Sequence, residues 1–183
     1  MKGYTDSQAL PHLYVLHDLQ RIVIPIAKNA STSLDVAMHG VTNVQMSRNQ
    51  ATEMGLFEDY EVLVLWRQPA ERIFSAWTQD KKNGNTVLSL EDYVTAWLSD
   101  PPAFDNRVCP QYLYCMYEGR WLPTKILRMP LEVDTFASLL NLPFFPWENA
   151  SEHNDILALP YKVYHKFHQR YQLDYLIWGG DIK

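Results

Sequence analysis

Residues 21–34 read RIVIPIAKNASTSL, and this stretch decides the fold. Its first six residues are mostly β-branched and apolar, which predicts a short buried strand. Polar residues follow at 27–33 as a tight loop, and the apolar spacing from Leu34 to Met38 then indicates a helix, with Ser31 or a neighbour as its N-terminal cap. The stretch therefore predicts a strand, a polar loop and a helix in direct succession.

A second stretch, residues 61–77, reads EVLVLWRQPAERIFSAW and has the same organisation. Its apolar start is typical of a strand buried on both faces, as in a parallel sheet. Pro69 ends the strand, and residues 70–82 have helical spacing. The further predicted elements are a helix at 90–98 capped by Ser89, a strand at 125–129, a helix at 131–140 started by Pro130, and a helix at 161–171.

Strands that alternate with helices predict the α/β class, here a three-layer sandwich with a mostly parallel central sheet. The 183 residues suit a single domain over 1–183, with residues 1–18 as a lead-in segment. Hydrophobic residues make up 47% of the chain and charged residues 20%, which is typical of a globular protein and excludes a disordered one.

The same composition excludes several classes of partner and location. The net charge of −5 excludes a general basic field for nucleic acid. No apolar run reaches the ~18 residues of a membrane span, and the first ten residues lack the pattern of a signal peptide. Cys109 and Cys115 are too few for a disulfide scaffold and lack zinc-site spacing. We therefore expect a soluble, cytoplasmic protein without nucleic-acid or membrane partners.

The loop at 27–33 has the chemistry of an anion site. The first turn of a helix has backbone N–H groups without helical partners and carries about half a positive charge. The hydroxyls of Ser31, Thr32 and Ser33 add donors, and Lys28 adds a mobile cation. The loop has no glycine, so it is not a Walker A loop. A simple helix cap with a solvent-facing lysine is the alternative interpretation of this loop alone.

The second stretch adds another anion-binding group at a strand end. Arg67 follows the predicted strand, and Ser75 comes eight residues later. Ligands of open α/β sheets bind outside the carboxyl ends of the strands. A guanidinium at such a position can bind a phosphate through two hydrogen bonds, and a nearby hydroxyl can donate another.

Together, the two stretches resemble the nucleotide-binding signatures of sulfotransferases that use 3′-phosphoadenosine 5′-phosphosulfate (PAPS). The carbohydrate branch of that family reads PKxASTSL and then VRDPxxRxxSAY. The matching residues are Pro25, Lys28, Ala30, Ser31, Thr32, Ser33, Leu34, Arg67, Pro69, Arg72, Ser75 and Ala76. Weaker likeness extends over about residues 20–178.

The resemblance implies a P-loop-like sulfotransferase fold and an enzyme that moves a sulfonate from PAPS to a hydroxyl of a carbohydrate or similar small-molecule acceptor, leaving the product PAP. The backbone at 29–33 and its hydroxyls would bind the 5′-phosphosulfate, Lys28 would stabilise the sulfonate in transfer, and Arg67 and Ser75 would bind the 3′-phosphate. No metal is required. The implied nucleotide-binding residues are Lys28, Asn29, Ala30, Ser31, Thr32, Ser33, Arg67, Ser75 and, from a later loop, Arg128, for which a plain surface charge is the equal alternative.

The sequence departs from the family where a general base is expected. Many relatives have N-x-H-x-x-P-Q, but residues 105–111 read DNRVCPQ, with Arg107 in place of the histidine. Arginine stays protonated and is a poor base. Asp105 is the preferred catalytic base because its loop matches the family's base loop. The other candidates are Asp35, His39 and Glu53.

Two further functions stay open. A degenerate module that binds PAPS or PAP without transfer follows from the missing histidine. A P-loop nucleotide kinase is the other alternative, against which the absent GK[ST] and magnesium aspartate count. The spacing of His165 and His168 permits metal binding, but a solvated helix face is the simpler interpretation. The acceptor and the oligomeric state are not determined by the sequence.

Overall fold

The computed structural model describes residues 12–99, 107–146 and 159–179. Contacts group the chain into two units, neither of which is continuous in sequence. The first unit is Met1–Trp66 with Gln111–Asn149, and the second is Arg67–Pro110 with Ala150–Lys183. The single domain over residues 1–183 stays a prediction.

Short strands account for the framework of the first unit. Five of those described form one sheet, and the other two form a separate hairpin. In chain order they are β1 Leu13–Leu16, β2 Arg21–Ile24, β3 Val44–Met46, β4 Glu61–Arg67, β5 Met116–Tyr117, β6 Arg120–Trp121 and β7 Lys125–Met129. The strand order in the larger sheet is β3-β1-β2-β4-β7, and β5 pairs with β6.

The larger sheet is mixed. β2 and β4 pair in parallel, with Ile24 opposite Val64, whereas β1 is antiparallel to both β2 and β3. Because β2 and β4 point the same way, their carboxyl ends lie at the same edge of the sheet. At that edge β2 leads into the loop at residues 25–30. Arg67 is the last residue of β4, and it is counted with the second unit.

Both faces of this sheet are buried. Ile22, Val62 and Val64 are 0% exposed, and the strand residues that alternate with them belong to a core cluster on the other face. That cluster joins Val23, Leu63, Leu65 and Leu127 of the strands to Leu34, Met38, Val133 and Phe136 of two helices. Each such buried side chain contributes about 1.5–3 kcal/mol of hydrophobic free energy, which explains why these apolar runs form the central strands.

Helices complete the two units. Those of the first unit are α1 Ser31–His39, α2 Arg48–Glu53, α3 Leu56–Asp59, α6 Tyr112–Cys115 and α7 Val133–Leu139, and those of the second are α4 Pro69–Lys82, α5 Leu90–Ser99, α8 Tyr161–Arg170 and α9 Gln172–Gly179. A short 3-10 turn, His17–Leu19, links β1 to β2.

The second unit is built around an aromatic core. Ile73 of α4, Trp97 of α5 and Phe167 of α8 lie in one buried cluster with Tyr171. The indole N–H of Trp97 donates to the Tyr171 hydroxyl at 3.0 Å, and that hydroxyl donates to the carbonyl of Val108. Buried aromatic side chains with polar tips need such partners, so this chain of hydrogen bonds fixes their orientation.

Most of the predicted elements are confirmed. The chain is α/β, and strands lie within 21–26 and at 61–67 and 125–129. Ser89 accepts a hydrogen bond from the Asp92 amide at 3.1 Å, which is the predicted cap of α5. The segment predicted as a lead-in contains β1, a four-residue strand whose side chains are all buried. The antiparallel pairing of β1 makes the sheet mixed.

The prediction that Pro130 starts a helix is wrong. α7 begins at Val133, because a turn closed by the bond from the Glu132 amide to the Arg128 carbonyl, at 2.7 Å, holds Pro130 and Leu131. The Glu132 carboxylate also accepts from the Arg128 amide at 2.9 Å. These two bonds hold residues 128–132 in a turn that precedes α7.

Among the described residues, no helix combines the length and the apolar character needed to cross a membrane.

Candidate functional site

The loop between β2 and α1 has an unusual backbone. Lys28 has a φ of 67° and Ala30 a φ of 57°, although neither is glycine. The amide of Asn29 donates to the Ile26 carbonyl at 3.0 Å, which closes a tight turn. A non-glycine residue in such a conformation costs about 1–3 kcal/mol, and it persists only where surrounding contacts fix it. Strain of this kind is concentrated at functional sites.

The first turn of α1 follows directly. Ala30, the residue before Ser31, is the N-terminal cap residue, and it makes no side-chain capping bond. The Leu34 amide donates to the Ala30 carbonyl at 2.8 Å and begins the helical pattern. Thr32 is exposed, Ser31 is half-buried and Ser33 is buried. The left-handed cap residue turns the chain into the helix without using a side chain.

Asn29 ties this loop to two other segments of the first unit. Its side-chain nitrogen donates to the carbonyl of Leu65 on β4 at 2.8 Å and to the Gln111 side-chain oxygen at 2.5 Å. Asn29 is 3% exposed and Gln111 is 0% exposed. The Asn29 side-chain oxygen is buried and has no hydrogen-bond partner in the described part of the chain. The Asn29 side chain is therefore held in place by the two bonds of its nitrogen and not by its oxygen.

No role is predicted for Gln111 from the residues alone. The signal was nevertheless present, because Pro110-Gln111 matches the last two residues of the base motif in the sulfotransferases that the chain resembles. In the structure Gln111 precedes α6 and contacts the loop of the first motif. The two motif fragments are thus joined within the first unit.

In the second unit, Arg67 is a buried cation at the end of β4. It is 6% exposed, and its Nε lies 3.6 Å from a carboxylate oxygen of Glu71. Burial lowers the pKa of Arg67, and the charge of Glu71 opposes that effect. Ser75 is half-buried on α4, about one helical turn after Glu71. A buried guanidinium favours additional negative charge.

Arg72, which belongs to the same motif, is buried and bonded to the protein backbone. It is 0% exposed, and its guanidinium donates to the carbonyl of Cys109. A buried charge needs hydrogen bonds of this kind. Arg72 therefore links α4 to the segment before Gln111 within the second unit, and nothing assigns it to a ligand.

Arg107, at the position where the sulfotransferases that the chain resembles have a histidine, pairs with a buried carboxylate. Its guanidinium donates to Asp80, which is 4% exposed. Asp80 also accepts from the Tyr93 hydroxyl at 2.8 Å and from the Asn85 side chain at 3.3 Å. Burial alone would raise the pKa of Asp80, but these hydrogen bonds and the Arg107 charge outweigh it and lower that pKa. Arg107 thus anchors its loop to α4.

Arg128 is engaged on β7 of the first unit. Its Nε lies 2.9 Å from the Glu132 carboxylate, and this hydrogen bond lowers the pKa of Glu132. The role of Arg128 at a phosphate stays a prediction, and Glu132 would have to release or share the guanidinium. The other predicted nucleotide-binding residues of the first unit lie in the loop and first turn at 28–33.

The candidate bases lie in different places. Asp105 falls outside the described residues. Asp35 accepts a hydrogen bond from the Tyr14 hydroxyl, and together with His39 it lines a cavity of about 400 Å³. Burial and the neighbouring carboxylate raise the pKa of Tyr14. Glu53 is exposed at the end of α2. The contacts of Asp35, His39 and Glu53 do not identify any of the three as a general base.

Within the described ranges, no group of three or more His, Cys, Asp or Glu side chains is arranged to hold a metal ion. Comparison of the chain with protein-family models, with curated proteins and with solved structures gives no match.

Proposed function

We propose that the protein is a sulfotransferase that moves a sulfonate from PAPS to a hydroxyl of a carbohydrate or similar acceptor. The observation that carries the proposal is the glycine-free loop at 25–30, where strained residues bring Lys28 to the start of α1. A strained backbone beside a helix start, with a cation and three hydroxyls, suits an anionic group in transfer. The finer fold, a three-layer sulfotransferase-like sandwich, is part of this proposal.

The loop would bind the donor end of PAPS. Backbone N–H groups and the hydroxyls of Ser31, Thr32 and Ser33 donate to the 5′-phosphosulfate. The acceptor oxygen attacks sulfur while the bond from sulfur to the phosphate oxygen breaks, and PAP leaves with that electron pair. The acceptor hydroxyl gives its proton to a base, for which Asp105 remains the candidate. Lys28 stabilises charge as it develops on the bridging and sulfonate oxygens.

Arg67 and Ser75 would bind the 3′-phosphate, which distinguishes PAPS from ATP. The burial of Arg67 supports this assignment, because a phosphate offsets the cost of burying the guanidinium charge. Arg128 is a further candidate for the same phosphate.

A binding module that holds PAPS or PAP without transfer is the second candidate. The ion pair between Arg107 and Asp80 favours it, because a protonated, anchored group takes the place where relatives have a base. This candidate shares the nucleotide site with the enzyme, so only a transfer assay separates the two.

The test has two steps. Calorimetric titration with PAP and with ATP comes first, and we expect heat of binding with PAP and much weaker binding of ATP. Sulfate transfer from labelled PAPS to a panel of glycans and small alcohols comes next. Transfer supports the enzyme, and PAP binding without transfer supports the module. Absence of PAP binding rejects both, and γ-phosphate transfer from ATP would instead support a nucleotide kinase.

A further inference from the structure

We propose that Asn29 and Gln111 form a clamp that holds the loop at 25–30 in its strained conformation before any ligand is bound. The effect of this clamp on nucleotide affinity rests on the function proposed above. Its effect on the loop of the free protein does not.

The contacts of Asn29 lead to this inference. Both hydrogens of its side-chain nitrogen are used, one by the Leu65 carbonyl at 2.8 Å and one by the Gln111 side-chain oxygen at 2.5 Å. The two acceptors come from β4 and from the residue before α6, 36 and 82 positions away in sequence. Asn29 is therefore fixed from two sides by segments that the sheet and α6 hold in place.

The position of Asn29 couples the clamp to the backbone. It lies between Lys28 and Ala30, two residues of this loop with positive φ. Relaxing either neighbour rotates the peptide planes on both sides of Asn29 and withdraws its buried side chain from Leu65 and Gln111. A strained conformation persists only where its surroundings over-determine it, and these two hydrogen bonds supply that restraint.

Such a clamp is a device of preorganisation. N–H groups that already point toward an anion do not have to be ordered when the anion binds, so affinity is not reduced by that cost. Gln111 and Asn29 are positioning residues in this role, because their side chains act on the loop backbone.

A matched control exists in the same unit. The side-chain nitrogen of Asn43 also donates to two carbonyls, those of Met38 and Val41, at 2.7 and 2.8 Å. These bonds lie at the C-terminal end of α1, away from the clamp. Asn29→Asp and Asn43→Asp therefore make the same isosteric change and remove the same number of donated bonds. Gln111→Met removes the acceptor in the clamp without altering Asn29.

The experiment is hydrogen–deuterium exchange of the ligand-free full chain, followed by PAP titration of the same variants. We expect Asn29→Asp and Gln111→Met to speed exchange in residues 27–33 by about tenfold or more, as loss of a buried hydrogen bond allows local opening. Asn43→Asp should speed exchange only near residues 38–45. Unchanged exchange at 27–33 in both clamp variants, or equal acceleration there by Asn43→Asp, would overturn the inference.

The titration separates this inference from the proposed function. If the parent binds PAP, the clamp variants should bind it about tenfold or more weakly, while Asn43→Asp retains the parent affinity. Equal affinity in all four proteins would overturn the preorganising role. If the parent does not bind PAP, the proposed function fails, and the exchange data alone decide whether the clamp exists. If Asn29→Asp does not fold, Gln111→Met carries both measurements.

Discussion

Lys28 combines a charged side chain with a backbone conformation that costs free energy. Its φ of 67° is one that lysine rarely adopts, and it lies directly before the buried Asn29. A lysine that merely faced solvent would gain nothing from this conformation. The residue therefore combines the two features that the proposed transfer needs, which are a local cation and a rigid backbone.

Replacing Lys28 by alanine should lower turnover with labelled PAPS by roughly 10²–10³-fold, the usual effect of removing one donor that stabilises developing charge. Alanine keeps the Cβ atom, so the strain at this position and the fold should be unchanged, as circular dichroism would check. Lys125→Ala on β7 is the matched lysine control and should retain the parent rate. Equal rates for the Lys28 variant and the parent would remove Lys28 from the chemistry.

Replacing Arg67 by alanine should weaken PAP binding by about 1.5–3 kcal/mol, the range for a hydrogen bond to a charged group. A nucleotide that lacks the 3′-phosphate should bind parent and variant alike, because it has no group for Arg67. Glu71→Gln serves as the control, since it removes the ion pair at 3.6 Å but keeps the guanidinium. An unchanged PAP affinity in Arg67→Ala would contradict the assignment of this residue, whatever the Glu71 variant does.

At the scale of elements, Asp80 links α4 to α5 and to the loop at Arg107. Three side chains donate to its buried carboxylate. The pKa of Asp80 is lower in the folded protein than its ordinary value, so its ionised form is the one that folding favours. Its stabilising effect is present above pH ~4 and is lost as the pH falls through the lowered value.

We therefore expect Asp80→Asn to reduce the free energy of unfolding by about 1–3 kcal/mol at pH 7, because the charged hydrogen bonds are lost. The difference from the parent should shrink as the pH is lowered toward 3. Urea unfolding at several pH values measures it, with Asp134→Asn, an exposed residue on α7, as the control. A deficit that stays constant from pH 7 to pH 3 would show that the ionised carboxylate is not the cause.

Local sequence signals predicted several elements well. The runs at 61–67 and 125–129 form strands of the sheet, where most of their apolar residues are buried. Ser89 caps α5, as its spacing with Asp92 indicates. β1 was missed because four apolar residues in a segment without turn signals do not distinguish a strand from a lead-in. The start of α7 was misplaced because the Glu132 carboxylate accepts a hydrogen bond from the Arg128 amide and so stabilises a turn before the helix.

The contacts that shape the candidate site were beyond sequence reasoning. Asn29 and Gln111 are 82 positions apart, and Arg107 and Asp80 are 27 apart. Such pairs depend on how strands are ordered and where loops end, which a periodic pattern does not encode. The motif predicts which residues bind an anion, but it does not indicate which residues hold the loop that carries them.

At the scale of the whole molecule, the chain has a net charge of −5. Anion binding in such a protein depends on local groups, because the overall charge gives no attraction. The first unit contains the Lys28 loop, and the second contains Arg67 and Ser75.

If the proposed function holds, PAP should raise the melting temperature of the protein. At about 100 times its Kd, a ligand adds about 2.7 kcal/mol, which corresponds to roughly 5–10 °C in Tm for a chain of this length. Hydrogen exchange along a thermal ramp would follow residues of each unit separately, with adenosine as the ligand control. Protection confined to the first unit would exclude Arg67 and Ser75 from the binding site.

A turn made from lysine, asparagine and alanine has fewer backbone conformations available than the glycine-rich turns that are common in phosphate sites. Glycine tolerates many backbone angles, whereas Lys28 and Ala30 each have a Cβ atom that confines them to a narrow well. Ligand-free coordinates of this turn should therefore serve directly as a receptor for inhibitor docking, without sampling of its backbone. For the same reason, small anions that fit one fixed shape should be selected over larger ones that require the turn to adapt.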